Sequence, residues 1–249
     1  MDFLEQIISN SQVGSDTLLD DFGMLNFLQD IEGIHINSLK EFSKYLNDNN
    51  LGVFLTYRQI DIIKRPKVFD KIKLTTFPFN TKSISGYRHI YILDEDDQPL
   101  VKTTAFGVFV DLDSNNVCRI PKDITKTISD KNQDPTIEIL PRKIELSNNN
   151  EMLLDKLTVK KSFIDRYRHM NNSYYIKVAT DAYNEDLVYN RIRAEYIKPF
   201  KLNDEIYIYL NDKNDEKTVI TLRSKENELY FILELTNMIQ KPWHMKILW

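Results

Sequence analysis

The sequence is poor in several residue types, and each shortage excludes a class of protein. It contains one cysteine, Cys118, which excludes an intramolecular disulfide and a metal site built from several cysteines. A lone thiol is typical of a reducing compartment, so we expect a cytoplasmic protein. Only four histidines are present, and His35, His89 and His244 lack the spacing of metal ligands. We therefore expect no metal and no cofactor.

Long apolar runs and an excess of basic residues are also missing. No stretch approaches the roughly 20 apolar residues of a membrane span. The N-terminus lacks the positive charge and the apolar run of a signal peptide. The net charge is −4, from 33 basic and 37 acidic residues, so no basic footprint indicates nucleic-acid binding. We expect neither a membrane span nor a nucleic-acid partner.

Aromatic residues are plentiful, with 13 tyrosines and 13 phenylalanines beside only 6 glycines, and this composition favours β-sheet. Apolar residues at helical spacing run from about 21 to 47, although Gly33 weakens the middle of the pattern. Alternating apolar segments then predict strands at 53–63, 71–78, 83–93 and 100–110. One helix followed by a run of antiparallel strands predicts an α+β fold.

The same order of elements recurs in the second part of the chain. We predict a strand at 157–163, a helix at 173–187, and strands near 192–197, 205–210, 218–223 and 229–237. A polar, proline-containing segment separates the two parts. We therefore divide the chain into an N-terminal unit (1–130), a linker (131–150) and a C-terminal unit (151–249). The tail, Pro242–Trp249, is apolar enough that we expect it to dock on the protein.

Short sequence matches favour a true duplication. The residues Ile63-Lys64, Lys67-Val68, Asp70 and Ile72 recur 134 positions later as Ile197-Lys198, Lys201-Leu202, Asp204 and Ile206. Such matches also arise by chance among common residues, but a fixed offset and the same order of elements argue against chance. Two copies of a helix and an antiparallel sheet would form a pseudo-dimer in one chain. The sequence leaves open a homodimer of the whole chain.

The second unit concentrates polar side chains just before its helix. Asp165, Tyr167, His169, Asn171 and Asn172 fall within eight residues. Histidine is a base near neutral pH that could activate water, and the aspartate could orient it or raise its basicity. One of the two asparagines is expected to cap the helix, whose free N–H groups suit an oxyanion. The plainer alternatives are a structural histidine and a turn aspartate.

The segment His169-Met-Asn-Asn-Ser-Tyr-Tyr175 after Asp165 resembles the Asp-x-Asn-x-His-Val-Asn-Asn signature of acyl-acyl carrier protein thioesterases. Weaker matches follow in order along nearly the whole chain, at Arg58, Ile62–Pro66, Asp70–Ile72, Thr75–Pro78, Tyr87–Asp94, Phe109–Asp113, Arg119–Pro121, Arg193–Tyr196 and Asp204–Ile206. The resemblance implies a tandem hotdog fold, in which an antiparallel sheet wraps a helix in each half. It also implies hydrolysis of fatty acyl-acyl carrier protein to free fatty acid in fatty acid biosynthesis, with acyl carrier protein as the partner.

In that family the Asp, Asn and His of the signature and a downstream Glu are taken as catalytic. Asp165 and His169 match this set. The position of the Asn is occupied by Tyr167, which could donate a hydrogen bond or simply pack. The position of the Glu is occupied by Pro199, and Glu195 on a predicted strand is a candidate substitute.

The resemblance also assigns the acyl chain to the N-terminal unit. The apolar face of the first helix, otherwise ordinary core, would then line the acyl tunnel with Leu25, Phe27, Leu28, Ile31 and Ile34. Basic turns are either solvated charge or a docking surface for acidic acyl carrier protein, and they contain Lys64, Arg65, Lys67, Lys198 and Lys201. Two other functions stay open: a thioesterase acting on acyl-coenzyme A, and a degenerate hotdog that binds acyl chains or acyl carrier protein without turnover.

Overall fold

The computed structural model describes residues 4–128, 130–147, 151–183, 187–214 and 216–238. The N-terminal half contains β1 (Leu4–Ile7), α1 (Asp21–Ser38), α2 (Lys40–Asp48), β2 (Leu51–Ile62), β3 (Lys71–Phe79), β4 (Ser85–Leu93), β5 (Pro99–Asp111), β6 (Asn116–Val117) and α3 (Lys122–Lys126). The C-terminal half contains β7 (Met152–Thr158), α4 (Asn172–Asp181), β8 (Arg191–Tyr196), β9 (Glu205–Lys213), β10 (Lys217–Arg223) and β11 (Leu229–Thr236). No helix in these ranges is long and apolar enough to cross a membrane.

The strands of the described residues form one antiparallel sheet, in which equivalent strands of the two halves lie at the same distance from the centre. Its order is β1-β3-β4-β5-β2-β8-β11-β10-β9-β7, with β6 added beside β5. The halves meet where β2 pairs with β8, and Gln59 lies opposite Arg193 there. These two residues are separated by the same 134 positions as the sequence repeat. A pseudo-twofold axis therefore passes between them, and the predicted α+β tandem hotdog is confirmed.

The turns repeat as closely as the strands. The carboxylate of Asp70 accepts from the N–H of Lys67 at 2.8 Å, and that of Asp204 accepts from the N–H of Lys201 at 2.7 Å. The residue before each aspartate has a left-handed backbone, with φ of 71° and 72°. The agreement at the predicted offset shows that the local sequence matches reflect a structural duplication.

Helices α1 and α4 cover the inner face of the sheet and contact each other. The rings of Phe22 and Tyr174 meet edge to face, with centroids 4.9 Å apart. Helix α1 continues through Gly33 and breaks only at Leu39, where α2 begins. A mid-helix glycine costs about 1 kcal/mol relative to alanine. Full burial of a single large apolar side chain such as Leu28 contributes more than that.

Two boundaries in the C-terminal half differ from the predictions. The predicted strand at 157–163 is instead β7, which ends at Thr158, followed by a 3₁₀ turn over Lys161–Phe163. Helix α4 ends at Asp181 and not at residue 187. The apolar pattern misled because Leu187 packs against the core from outside the helix. The predicted docking of 242–249 lies outside the described residues.

The segment between the halves crosses the outer face of the sheet at the pseudo-twofold axis. Gln59 of β2 donates from Nε2 to the carbonyl of Glu138 at 2.7 Å. Glu195 of β8 accepts from the N–H of Ile144 at 2.8 Å. Ile144 itself is buried against the sheet. The linker thus binds both halves and lies on the face of the sheet opposite to the helices.

Candidate active site

Backbone hydrogen bonds close the loop that precedes α4. The N–H of Asp165 donates to the carbonyl of His169 at 2.8 Å. The carboxylate Oδ1 of Asp165 accepts from the N–H of Tyr167 at 2.8 Å and from the N–H of His169 at 3.3 Å. The carboxylate of Asp165 therefore fixes the loop by accepting from backbone N–H groups, as a turn aspartate does. In this way it sets the position from which the imidazole of His169 projects.

The first half contains the equivalent loop without the aspartate and the histidine at the matching positions. Thr17 and Arg168 take equivalent left-handed positions, with φ of 66° and 62°. On that correspondence, Gly14 and Leu18 stand where the second loop has its aspartate and its histidine. The two loops therefore share a backbone conformation, and of the two the second contains the histidine.

The imidazole of His169 is half-buried beside the ring of Phe54, with centroids 5.6 Å apart in an edge-to-face arrangement. Burial lowers the pKa of His169, the charge of Asp165 raises it, and the charge of Lys201 lowers it, with a net decrease. The ring is therefore neutral at pH 7. Among the described residues, neither ring nitrogen takes part in a hydrogen bond. An unprotonated nitrogen is available to a water molecule.

The N-terminus of α4 lies directly after this histidine. Asn171 is the N-cap, and its Oδ1 accepts from the N–H of Ser173 at 3.0 Å. The N–H of Tyr174 donates to the carbonyl of Asn171 at 3.0 Å. Within the described part of the chain, the N–H of Asn172 has no acceptor. This donor, at the positive end of the helix dipole, suits an oxyanion.

A cavity of about 910 Å³ opens at the loop and extends into the N-terminal half. Apolar residues from α1, α2, β2 and β5 line its inner part, including Ile36, Leu39, Phe42, Leu46, Val53 and Phe109. Of the α1 residues predicted to line a tunnel, Ile34 faces the cavity. The other four, Leu25, Phe27, Leu28 and Ile31, belong to the main core instead. Of these five predicted residues, Ile34 lines the cavity and the other four lie on the face of α1 that packs into the core.

Glu195 does not reach the cavity. Side chains alternate along β8, so Ala194 and Tyr196 face the helices while Glu195 faces outwards and accepts from the N–H of Ile144. Pro199 does line the cavity, which leaves that part of the wall without a carboxylate. This geometry gives no support to the prediction that Glu195 substitutes for the missing glutamate.

Tyr167 lines the cavity but its hydroxyl is engaged elsewhere. Nη2 of Arg166 donates to that hydroxyl at 2.8 Å. The tyrosine ring packs edge to face on Phe54, with centroids 5.4 Å apart. Tyr167 and His169 thus share one aromatic neighbour, and the tyrosine helps to fix the wall against which the imidazole lies.

Sequence reasoning missed the charged residues that α1 and β4 bring to the cavity. Asp30, Glu32 and Arg88 line it, and burial raises the pKa of Asp30. Their signal in the sequence was weak, because polar residues on a helix usually face solvent. Within the described ranges, no group of three or more His, Cys, Asp or Glu side chains could hold a metal ion.

Two residues of the predicted basic surface are already paired. Arg65 is largely buried and pairs with Asp21 at 2.7 Å, so it holds α1 in place and offers no free charge. The four predicted lysines are exposed, namely Lys64, Lys67, Lys198 and Lys201, but Lys198 pairs with Glu228. The loop adds two exposed arginines, namely Arg166, which lines the cavity, and Arg168.

Two domain models of one family match the sequence. The acyl-ACP thioesterase N-terminal domain matches residues 16–128, and the acyl-ACP thioesterase C-terminal domain matches residues 146–244. No curated protein matches the sequence significantly.

Three solved structures share the fold along nearly the whole chain. An acyl-ACP thioesterase from Bacteroides thetaiotaomicron is 18% identical, with 94% of this chain and 96% of that chain covered and a TM-score of 0.83. A putative oleoyl thioesterase from Lactobacillus plantarum is 16% identical (95% and 96% covered, TM-score 0.80). A 12:0-ACP thioesterase from Umbellularia californica is 14% identical (94% and 95% covered, TM-score 0.79). With both family domains matched in order, this chain belongs to the acyl-acyl carrier protein thioesterases, which hydrolyse the thioester of fatty acyl-acyl carrier protein.

Proposed function

We propose that residues 165–172 form the catalytic loop of this thioester hydrolase and that the cavity holds the fatty acyl chain. One observation supports this assignment above the others. In the part of the chain that the structure describes, the neutral His169 has unengaged ring nitrogens beside a helix N-terminus with an unengaged N–H, and both lie at a cavity with many apolar lining residues. A base, an oxyanion donor and an acyl site are what thioester hydrolysis needs.

The reaction follows from these positions. His169 takes a proton from water as the water oxygen attacks the thioester carbonyl carbon and the new C–O bond forms. The carbonyl oxygen becomes an oxyanion, which the N–H of Asn172 stabilises. The C–S bond then breaks, and the imidazolium returns its proton to the leaving sulfur. The products are a fatty acid and the free thiol of the carrier. Asp165 holds the loop and stabilises the imidazolium by its charge.

The pH dependence should report on His169. We expect kcat/KM to fall on the acid side with a pKa below the usual value of about 6.5, because burial lowers the pKa of the imidazole. Asp165→Asn should shift this limb to lower pH, since the carboxylate raises the pKa of His169. The measurement is kcat/KM from about pH 4.5 to 8 by thiol release. An acid limb that stays in place in Asp165→Asn would contradict the assignment.

The carrier that bears the acyl chain should be recognised by the exposed basic residues of the loop. Acyl carrier protein is acidic, so the exposed Arg168 should speed its encounter in a salt-sensitive way. We expect Arg168→Glu to raise KM for acyl-acyl carrier protein about three- to tenfold, with little change for acyl-pantetheine. Lys71→Glu, an exposed lysine on the outermost strands, is the matched control. Equal kinetics for acyl-coenzyme A and acyl-acyl carrier protein at low and high salt would favour the acyl-coenzyme A alternative.

Binding without turnover is the second alternative, and two observations favour it. Tyr167 has its hydroxyl bound to Arg166, and Pro199 leaves the wall without the carboxylate that the family resemblance expects. A thiol-release assay over a chain-length series of acyl-acyl carrier proteins decides between them. Stoichiometric acyl binding with no thiol release at any chain length would establish a binding protein.

A further inference from the structure

A row of inner-face residues crosses the N-terminal half at the cavity wall. The strand register places Ala105 of β5 between Arg58 of β2 and Arg88 of β4. Adjacent strands lie about 4.8 Å apart, so the two arginine Cα atoms are about 10 Å apart, with one methyl side chain between them. Helix α1 covers this row with Glu32 and His35, which contact the first and the second arginine respectively.

The row has more positive than negative charge. Arg58 is 1% exposed and pairs with Glu32 at 2.6 Å, yet its Nε and Nη1 are buried without a partner among the described residues. Nη1 of Arg88 donates to Oγ1 of Thr76 at 3.0 Å and to Nδ1 of His35 at 3.1 Å. Burial, and then the charge of Arg88, lower the pKa of His35 to about 4, so this neighbour is neutral. Within the described residues, a carboxylate thus contacts the guanidinium of Arg58 and none contacts that of Arg88.

Arg88, Ala105 and Glu32 all line the cavity. In the described part of the chain, Nε and Nη2 of Arg88 donate to no protein acceptor, and no carboxylate lies within ion-pair distance of it. Glu32 binds Arg58 through Oε2, which leaves Oε1 as an acceptor at the same wall. A plain alkyl chain lying here would remove water from charged groups and give no hydrogen bond in return, which is unfavourable.

We propose that this part of the cavity recognises a hydroxyl group on the acyl chain, so that the enzyme prefers hydroxyacyl thioesters to unsubstituted ones. The inference rests on the proposed function, because it assumes that the acyl chain enters this cavity. A hydroxyl oxygen accepts from Arg88 while its hydrogen is donated to Glu32, which satisfies both groups at once. A ketone oxygen satisfies only the arginine. The small side chain of Ala105 leaves the space that the hydroxyl needs.

The test uses acyl-acyl carrier proteins of one chain length, with the hydroxyl moved along successive carbons, beside the unsubstituted and the oxo compounds. At one position we expect the hydroxyl to raise kcat/KM about ten- to a hundredfold over the unsubstituted chain, the usual range for a hydrogen bond to a charged group. The oxo compound should gain less. In Arg88→Met the preference should fall at least about fivefold, because the hydrogen bond from the arginine is lost while the one to Glu32 remains. Arg119→Met, an exposed arginine outside the cavity, should keep the preference of the natural protein.

Several outcomes would overturn the inference. The inference fails if kcat/KM is the same for the hydroxylated and the unsubstituted chain at every hydroxyl position. It also fails if Arg88→Met keeps the preference of the natural protein. Hydrolysis of the unsubstituted chain tests the proposed function separately, so the two failures are distinguishable. If Arg88→Met does not fold, the unaltered chain is titrated with acyl-pantetheine amides by calorimetry. Binding of the hydroxylated amide at least about tenfold tighter than that of the plain amide is expected, and equal affinity contradicts the inference.

Discussion

His169→Ala is expected to lower the hydrolysis of acyl-acyl carrier protein by at least about a hundredfold, the lower end of what a general base contributes. Folding should persist, because Asp165 holds the loop through backbone N–H groups and the imidazole forms no hydrogen bond within the described residues. Thiol-release kinetics measure kcat, and thermal unfolding of the same preparation checks the fold. Near-normal activity in a folded His169→Ala chain would remove this loop from the mechanism.

The duplicated loop supplies a control for that result. Leu18 stands at the position in the first half that corresponds to His169. Leu18→Ala removes a half-buried side chain from an equivalent backbone, so it reproduces a local loss of packing without a loss of the base. We expect kcat to stay within about threefold of the natural value, well inside the range that the loss of a general base exceeds. A hundredfold loss in both variants would mean that the loops act through packing alone.

The largest expected effect on stability comes from Glu32→Ala. The guanidinium of Arg58 is 1% exposed and Glu32 is its contacting carboxylate at 2.6 Å, with the Glu32 side chain 18% exposed. Removing one partner of a buried ion pair leaves an uncompensated charge, so we expect the free energy of unfolding to fall by about 3–5 kcal/mol. Urea denaturation, with the midpoint and slope both fitted, gives this quantity.

Two further variants show whether the cause is the stranded charge. Asp48→Ala breaks the exposed pair with Lys44 and should cost only about 0.3–0.5 kcal/mol. The double variant Arg58→Met with Glu32→Leu removes both charges and should recover most of the stability lost in Glu32→Ala. A loss of stability below about 1 kcal/mol in Glu32→Ala would show that Arg58 tolerates an unpaired state. No recovery of stability in the double variant would show that the loss does not come from the unpaired charge.

Much of the fold could be predicted because its information is local. Alternating apolar residues define the strands of the first half, and the short turn between β4 and β5 fixes their pairing as a hairpin. The recurrence of Asp70 as Asp204 predicted the duplication, and the same offset relates Gln59 to Arg193 where the halves meet. The end of α4 was missed because Leu187 continues the apolar pattern although the chain has left the helix.

In the proposed site, too, the features determined within one loop were predictable, whereas those that depend on the packing of distant elements were not. Asp165, His169 and Asn171 were predicted as a group because their spacing within one loop decides their geometry, and they lie together in the proposed site. The pairing of Arg58 with Glu32 could not, since it depends on the angle at which a helix crosses a strand. The outward orientation of Glu195 could have been predicted, because side chains alternate along β8 and Glu195 lies between the inward-facing Ala194 and Tyr196.

The junction between β2 and β8 bears on how the chain folds. Its partners, such as Ile60 and Ile192, lie roughly half the chain apart, whereas β4 and β5 are neighbours in sequence. Closing so long a loop is entropically slow, so the local hairpins should form first and the junction last. Until then each half has an open strand edge that can pair with another chain. We therefore expect that a cut in the linker would leave two fragments that each expose the edge of β2 or β8 and need each other to complete the sheet.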